Sequence, residues 1–315
     1  MSSINRRARN RATVPIDGLL LLNKPAGLTS NQALQKIKRL LNARKAGHTG
    51  SLDPAATGML PLCFGEATKV CAYLLDADKT YRVTARLGIA TDTADADGKE
   101  TARADVPELS QQRWMEILHG FLGDSTQVPP MYSALKKDGK RLYQLARAGQ
   151  TVERAPRPIR IDSIDFLEIA GNRLVFRVHC SKGTYIRTLV EDIANVAGTV
   201  AHTARLHRET VGHFQSSDML DLGRAEAIAE EGPEALRMRL LPPDRALSGL
   251  PLARIDSDAA KRFTAGQAVT APTPDLKTGL ARVYGRENEF LGVGEHTDGG
   301  LLAPRRVFLV PEKGL

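Results

Sequence analysis

The spacing of apolar residues predicts three amphipathic helices before residue 200. Thr29 or Ser30 can cap the first helix and Ser110 the second, whereas the third starts near Thr184 and ends at Gly198. Apolar residues recur roughly every three to four positions in each segment, which places them on one face. The predicted buried faces are Ala33, Leu34, Ile37 and Leu41, then Trp114, Ile117, Leu118 and Phe121, then Ile186, Leu189, Val190, Ile193 and Ala197.

Two segments alternate between apolar and polar residues, which is typical of half-buried β-strands. Their apolar faces are Tyr81, Val83, Ala85 and Leu87 in one segment and Leu174, Phe176, Val178 and Cys180 in the other. Helices and strands follow each other irregularly, without the even rhythm of a doubly wound parallel sheet. The pattern therefore predicts a mixed α+β fold.

The run Leu241-Pro242-Pro243, followed by Pro251, predicts a domain boundary. Beyond it lie one short helical segment closed by Gly266 and several short strands bounded by Gly or Pro. A chain of 315 residues is also longer than one ordinary domain requires. We expect a basic arm at residues 1–15, a larger domain at residues 16–245 and a small β-rich domain at residues 246–315.

Composition narrows the class of protein. No apolar run approaches the roughly 20 residues that a membrane helix needs. The three cysteines, Cys63, Cys71 and Cys180, form no CxxC pair, which favours a reducing cytoplasm over a disulfide framework or a zinc knuckle. Four arginines and no acid precede residue 14, but no apolar stretch follows them. A disordered basic arm is therefore favoured over a secretory signal.

Positive charge is concentrated in one internal segment. The formal net charge is +8, and residues 136–160 hold eight basic and two acidic residues. Tyr132 and Tyr143 interleave with these bases, a pattern that indicates contact with RNA or DNA. The alternative is a solvated charged helix whose buried side carries Leu142, Leu145 and Ala146.

Motifs for metals and nucleotide cofactors fail on inspection. Asp92, Asp95 and Asp97 suggest a calcium loop, but Thr93 takes the position of the first ligand and the closing Glu is missing, so a solvated hairpin is favoured. No glycine-rich phosphate loop occurs, and the histidines between residues 202 and 213 fit no zinc signature. The sequence thus predicts neither a cofactor nor a metal.

Residues 47–58, GHTGSLDPAATG, form the most constrained stretch of the chain. Pro54 pushes the backbone of Asp53 toward an extended conformation. Gly47, Gly50 and Gly58 permit turns that other residues resist. Such a loop can present the Asp53 carboxylate as a nucleophile or a general base. The alternative is that Asp53 merely makes an Asx-turn.

The loop 47–58 closely resembles the catalytic motif of the bacterial tRNA pseudouridine synthase B family, which modifies the T-arm uridine conventionally numbered 55. Four further segments are similar to motifs of that family, in its order and spacing. They are NKPAGLTS at residues 23–30, KTY at 79–81, QVPPMYSALKKDGKRLYQLARAG at 127–149 and SKGTYIR at 181–187. The C-terminal part resembles the family less sharply, in FTAGQ at 263–267 and LAPRRV at 302–307.

The resemblance implies an architecture. Residues 16–245 would form a catalytic domain with a mixed, largely antiparallel sheet flanked by helices and loops. An RNA-gripping insertion would occupy residues 124–158, and residues 246–315 would form a PUA-like RNA-binding domain. The partner would be the T-arm stem-loop of tRNA, and the enzyme would act as a cytoplasmic monomer without a cofactor or metal.

The resemblance also implies the reaction, an isomerisation of uridine. The bond between N1 and C1′ breaks, the uracil turns, and C5 bonds to C1′. Asp53 would be the essential carboxylate, and it could attack C1′, add to the base or abstract a sugar proton. Arg187 would pair with Asp53 and keep it ionised. The ring of Tyr81 would stack on the target uracil.

Further roles follow from the need to flip a stacked uridine out of its loop. His48 would occupy the vacated space, and Leu206 would line the uracil pocket. Support of the catalytic loop would come from Lys24, Pro25, Gly50 and Pro54, and RNA contacts from Tyr185, Lys136, Lys140, Arg141 and Arg147.

Two other functions can be weighed against this one. The concentrated positive charge leaves open a protein that acts primarily as a non-catalytic tRNA-folding chaperone. An RNA methyltransferase is disfavoured because no glycine-rich nucleotide-binding loop follows a strand.

Overall fold

The computed structural model describes residues 16–271 and 276–308. The predicted basic arm at residues 1–15 lies outside the described residues. None of the helices in the described ranges has the length and apolar content needed to cross a membrane. The α-helices are α1 (Ser30–Leu41), α2 (Cys71–Asp76), α3 (Gln111–His119), α4 (Leu142–Arg147), α5 (Ile186–Val196), α6 (Leu222–Glu230), α7 (Pro233–Arg237) and α8 (Ser257–Thr264).

Strands make up the rest of the regular structure, together with short 3₁₀ helices at Gly65–Val70, Ser216–Asp218 and Pro243–Leu247. The strands are β1 (Gly18–Lys24), β2 (Ala46–His48), β3 (Thr57–Phe64), β4 (Lys79–Leu87), β5 (Ile89–Thr91), β6 (Glu100–Arg103), β7 (Gly123–Gln127), β8 (Lys136–Lys137), β9 (Lys140–Arg141), β10 (Arg157–Ala170), β11 (Arg173–Cys180), β12 (Ala201–Val211), β13 (Leu220–Asp221), β14 (Leu252–Arg254), β15 (Val269–Thr270), β16 (Gly279–Tyr284), β17 (Phe290–His296) and β18 (Leu301–Val307).

A nine-stranded sheet organises the larger part of the chain. Its order is β13-β1-β3-β12-β4-β11-β10-β7, with β2 beside β3. Within the described residues, β1 runs parallel to β13 and β3 runs parallel to β12. The other pairs in this sheet are antiparallel. The prediction of a mixed, largely antiparallel sheet in an α+β fold is confirmed.

The pairing between β3 and β12 is short. These strands pair at His207 with Thr57 and at Arg208 with Gly58, near the start of β3. The register of β12 against β4 shifts between Thr203 and Arg205, which indicates a β-bulge. Residues of the loop 47–58 and of β12 together line a pocket. The short pairing of β3 with β12 thus brings two distant segments around one space.

The three predicted helices are present with their apolar faces turned inward. α1 begins after Thr29 and α3 after Ser110, and both residues cap their helices through their side chains. α5 begins at Ile186 rather than near Thr184, because Tyr185 has an extended backbone and acts as its N-cap. These faces pack with the apolar sides of β4 and β11 into one core.

The C-terminal residues form a separate five-stranded sheet in the order β14-β16-β17-β18-β15. This sheet and α8 enclose a core of their own around Phe263. On its other side, Val293 and Phe308 pack into the same apolar cluster as Phe214 and Leu247. The predicted small β-rich domain is therefore present, and an apolar contact joins it to the larger sheet.

Replacing Phe308 with Ala should loosen this contact. Phe308 is buried, and its ring centroid lies 4.9 Å from that of Phe290. The cavity left behind should lower the free energy of unfolding by about 3 to 5 kcal/mol, measured by chemical denaturation. Leu301→Ala is the control, because Leu301 is nearly half exposed in the same sheet. Equal losses of stability in the two variants would contradict the assigned contact.

Candidate active site

The loop 47–58 holds Asp53 between two glycines with left-handed backbones. Gly50 has a φ of +65° and Gly58 a φ of +101°, values that other residues adopt at a cost. At Gly58 a Cβ would lie 2.3 Å from the backbone oxygen of Arg208, so the close approach of the strands also requires glycine. Gly47 lies in β2 and has no such backbone. The predicted turn at Gly47 is therefore wrong.

Side chains from the first β-α unit support this loop from the core. Ser30 Oγ donates to the backbone oxygen of Leu52 at 3.0 Å and accepts from the amide of Leu52 at 2.8 Å. Lys24 is fully buried, and its Nζ donates to three backbone oxygens, including those of Pro25 (2.9 Å) and Pro54 (3.2 Å). Burial lowers the pKa of Lys24 to about 8, against the opposing charge of Asp53. Lys24 thus ties the end of β1 to the loop that carries Asp53, and Pro25 supplies one of its acceptors.

Arg187 forms an ion pair with Asp53. Arg187 Nε lies 3.1 Å from Asp53 Oδ2. The guanidinium also donates to the backbone oxygens of Thr93 at 2.8 Å and Tyr132 at 2.6 Å. Only 7% of the Arg187 side chain is exposed, against 45% for Asp53. The cation is therefore fixed in the protein, while the carboxylate keeps access to the pocket.

A second carboxylate, Asp95, contacts the same guanidinium. Arg187 Nη1 lies 3.4 Å from Asp95 Oδ2, and Asp95 is largely buried. Thr93 Oγ1 and the amide of Asp97 donate to Asp95 Oδ1 at 2.5 Å and 3.1 Å. The predicted hairpin is present, because β5 pairs with β6, but Asp95 within it is largely buried rather than solvated. Local sequence carries no signal for this contact, because the two residues are 92 positions apart.

The electrostatics of Asp53 reflect two opposing effects. Burial raises the pKa of the Asp53 carboxyl, and the nearby charge of Asp95 raises it further. The guanidinium of Arg187 lowers it, as does the charge of Lys24. Arg187 therefore offsets part of the cost of keeping Asp53 ionised in this site.

Tyr81 and Leu206 occupy different positions relative to the pocket. Leu206 lines it together with Asp53 and Arg187. Tyr81 is only 9% exposed and packs in the core, and the pocket lining found for the described residues does not include it. Burial raises the pKa of the Tyr81 phenol, whereas the neighbouring charge of Arg208 lowers it. The structure thus places Leu206 in the pocket wall and Tyr81 in the core.

His48 ends β2, directly before the turn of the loop 47–58. Its Nδ1 is buried and has no hydrogen-bond partner among the described residues. Burial lowers the pKa of His48, and the positive charge of Arg208 lowers it further. The neutral ring is therefore favoured beside the loop.

The insertion is tied to the same site at its first end. The Gln127 side chain donates to the backbone oxygen of Tyr185 at 3.1 Å and accepts from its amide at 2.7 Å. Tyr132, a few residues further along the insertion, is held by Arg187 through its backbone oxygen. Tyr185 therefore stands between the insertion and the residue that pairs with Asp53.

The basic side chains of the insertion are solvent exposed. Lys136, Lys140 and Arg141 lie on a hairpin of β8 and β9, and Arg147 lies at the end of α4. The Arg147 guanidinium is 5.6 Å from the centroid of the Tyr143 ring. The alternative of one continuous charged helix is wrong, because the Asp138-Gly139 turn has a left-handed backbone that folds the chain back.

A groove of about 590 Å³ adjoins the pocket and shares Ala55, Ala204, Arg205 and Leu206 with it. Across the outer face of the sheet it is lined by four exposed arginines, Arg82, Arg86, Arg173 and Arg205. Such a surface is suited to a polyanion rather than to an uncharged ligand.

One group of side chains has metal-ligating atoms. In the described ranges, Asp78, Asp162 and His179 bring such atoms within 4.8 Å of one another. Arg160 lies 3.0 Å from the carboxylate of Asp162 and 4.0 Å from that of Asp78. Arg160 pairs with Asp162 and approaches Asp78, so the cluster is explained as an ion-pair network.

Comparisons of sequence cover nearly the whole chain. Residues 38–186 match the family model described as "TruB family pseudouridylate synthase (N terminal domain)". Residues 187–248 match "tRNA pseudouridylate synthase B C-terminal domain", and residues 251–308 match "Pseudouridine synthase II TruB, C-terminal". The chain is 50% identical to a tRNA pseudouridine synthase B of Dechloromonas aromatica, across 94% of this chain and 97% of that protein. It is also 50% identical to one of Pseudomonas aeruginosa, across 93% and 96%.

Solved structures agree with these matches. A chain of a Cbf5-Nop10-Gar1 complex aligns with a TM-score of 0.72 and 28% identity, over 93% of this chain and 85% of that chain. A chain of an H/ACA RNP bound to a substrate RNA containing 2′-deoxyuridine aligns with a TM-score of 0.71 and 25% identity, over 94% and 86%. A shared fold is thus combined with half-identical sequence and with a paired aspartate and arginine at a pocket, and the chain belongs to the TruB family of pseudouridine synthases.

Proposed function

We propose that this chain converts uridine to pseudouridine in the T-arm loop of tRNA, at the position conventionally numbered 55. The ion pair of Asp53 and Arg187 at the pocket carries the proposal, because it supplies a carboxylate held beside a fixed cation. Relatives that share half of the sequence over almost their full length are named tRNA pseudouridine synthase B. The reaction is an isomerisation, so its atoms balance without a co-reactant.

Asp53 acts as the catalytic carboxylate. The N1–C1′ bond breaks, the uracil turns, and C5 bonds to C1′ before the proton on C5 is lost and N1 gains one. Asp53 can attack C1′, add to the base or abstract a sugar proton, and in each route the reacting form is the ionised carboxylate. Arg187 favours that form, because its charge opposes the effect of burial on the pKa of Asp53.

The target uridine reaches Asp53 by leaving its base stack, at a cost of a few kcal/mol. Leu206 in the pocket wall contacts the uracil. The ring of Tyr81 stacks on the same base, as the resemblance of the KTY motif implies. His48 enters the space that the uridine leaves, which fits its position beside the loop and its unpartnered Nδ1. A neutral histidine is suited to this role, since it replaces an uncharged base.

The RNA backbone is held by exposed cations. Lys136, Lys140, Arg141 and Arg147 on the insertion supply phosphate contacts, and Tyr185 links that segment to the catalytic site. The arginine-lined groove extends the positive surface from the pocket. Phosphate contacts provide affinity, whereas the shape of the folded loop provides selectivity.

The two sheets belong to parts of the chain with different functions. Residues 16–245 carry catalysis with the insertion at residues 124–158, and residues 246–315 bind the tRNA further from the target. The enzyme would act as a monomer, as the resemblance of its motifs implies. Its three free cysteines suit a reducing cytoplasm.

Asp53→Asn should abolish pseudouridine formation. The amide cannot act as a nucleophile or base, so the rate should fall by roughly 10³-fold or more while tRNA affinity changes little. The assay is tritium release from 5-labelled uridine in T-arm RNA, with filter binding for affinity. Asp105→Asn, at an exposed loop acid, is the matched control with wild-type turnover. Normal turnover by Asp53→Asn would disprove the assignment.

Arg187→Met should move the acidic limb of the rate profile to higher pH. The pKa of Asp53 is already raised by burial, and removing the cation that lowers it raises it again. Activity is then lost at a higher pH as the medium is acidified, because the protonated carboxyl is inactive. Single-turnover rates between about pH 4 and pH 8 measure this shift. Arg187→Lys keeps the charge and should shift the acidic limb of the rate profile less. Identical acidic limbs in the wild type, Arg187→Met and Arg187→Lys would exclude the electrostatic role of Arg187.

Replacing Lys136, Lys140 and Arg141 with Ala should weaken tRNA binding and reduce its salt dependence. The slope of log affinity against log salt should decrease by about one unit for each phosphate that the variant no longer binds. Arg103→Ala with Arg113→Ala serves as a control for removal of surface charge, because each of these exposed arginines pairs with a neighbouring glutamate. An unchanged slope in the triple variant would show that the hairpin is not the phosphate grip.

A further inference from the structure

Three buried cations surround the catalytic loop, and their hydrogen bonds go to backbone oxygens. Lys24 and Arg208 are at most 1% exposed and Lys79 is 7% exposed. Lys79 Nζ donates to the oxygens of Leu75 at 2.7 Å and Ala77 at 2.5 Å. In the described parts of the chain, no carboxylate lies within ion-pair distance of Arg208. Buried charges normally require acidic partners, so this arrangement calls for an explanation.

Arg208 binds both ends of the catalytic loop. Its Nη2 donates to the backbone oxygen of Gly50 at 2.8 Å, and its Nε donates to that of Met59 at 2.7 Å. The two oxygens stand on either side of Asp53 in the sequence. A planar guanidinium can reach both at once, because its donors point in fixed, divergent directions. Arg208 thus closes the loop as a clamp.

The same side chain faces the ring of Tyr81. Arg208 of β12 and Tyr81 of β4 are direct cross-strand partners. Residues opposite each other in an antiparallel pair share a face of the sheet, with Cβ atoms about 5 Å apart. The register shifts on both sides of Leu206 and Arg208, between Thr203 and Arg205 and between Arg208 and Thr210. Bulges of this kind re-aim side chains, and here they flank the residue that meets the loop.

We propose that Arg208 is a positioning residue that couples the catalytic loop to Tyr81. Its guanidinium binds the backbone on both sides of Asp53 and contacts the Tyr81 side chain across the strand pair, so the carboxylate of Asp53 and the phenol ring keep a fixed mutual position. This inference rests on the proposed function, because the two groups it aligns are those that meet the uridine. Misplacing a reacting group by about 1 Å can cost about a hundredfold in rate, so such alignment bears directly on catalysis.

The hydrogen bonds of Arg208 to backbone oxygens explain why no carboxylate pairs with it in the described residues. An acid beside Arg208 would compete with the carbonyls for its donors and would pull it away from the loop. Neutral acceptors satisfy the hydrogen bonds and leave the positive charge in place. The cost of burial is offset by several strong hydrogen bonds rather than by an ion pair.

Arg208→Lys tests the proposal in the full-length protein. A lysine keeps the charge but cannot donate to both oxygens and face Tyr81, so the single-turnover rate on T-arm RNA should fall by about tenfold or more. The dissociation constant for the RNA should stay within about twofold, since Arg208 is buried away from solvent. Amide hydrogen exchange at residues 50–59 should become faster. Leu174→Ala, in the core of the same sheet, is the control for a general loss of stability.

A double-mutant cycle with Tyr81→Phe separates coupling from simple support. If Arg208 acts through Tyr81, removing the hydroxyl from Arg208→Lys should lower the rate by less than the same change does in the wild type. Losses that multiply would overturn the proposal, as would a rate within about twofold of wild type or loop exchange no faster than in Leu174→Ala. Failure of the wild-type protein to modify T-arm RNA would instead overturn the proposed function. Amide hydrogen exchange at residues 50–59 tests the hydrogen bonds of Arg208 to the loop even without turnover.

Discussion

The candidate active site depends on one buried guanidinium that contacts groups from several segments of the chain. Arg187 contacts the carboxylates of Asp53 and Asp95 and the backbone oxygens of Thr93 and Tyr132. Leaving a buried charge unpaired costs several kcal/mol, so the segments that carry these groups are stable near Arg187 only together. The loop 47–58, the turn after β5 and the insertion are thereby assembled around the first turn of α5. Correct placement of Asp53 follows from this shared requirement.

Backbone oxygens are the hydrogen-bond partners of two further buried cations next to the loop 47–58. The ammonium of Lys24 and the guanidinium of Arg208 are satisfied by peptide carbonyls of the catalytic loop and its flanks. Carbonyls accept hydrogen bonds without cancelling charge, so the positive charge of these residues persists in the core. Burial lowers the pKa of His48, and the positive charge of Arg208 lowers it further.

In the proposed function, affinity and chemistry are carried by separate parts of the molecule. The lysines and arginines of the insertion and of the groove are exposed, and their contacts with phosphate would weaken as salt rises. Asp53 and Arg187 form a short ion pair whose cation is buried, and salt has less effect on such a pair. Replacing an exposed lysine or arginine should therefore change RNA affinity more than the rate. Replacing a residue of the buried ion pair should change the rate more than the affinity. The anchor of Gln127 on Tyr185 connects the two parts.

The amino-acid sequence alone determined the helices with regular apolar faces, the two alternating strands, the shaped loop around Asp53 and the basic insertion, because each depends on neighbours within a few positions. The resemblance of its motifs also identified Arg187 as the partner of Asp53. Tertiary structure decided what no local pattern encodes: the ion pair of Asp95 with Arg187 and the hydrogen bond of Arg208 to Gly50, across 158 positions. These contacts depend on strand order and on the bulges of β12, which result from packing the whole sheet.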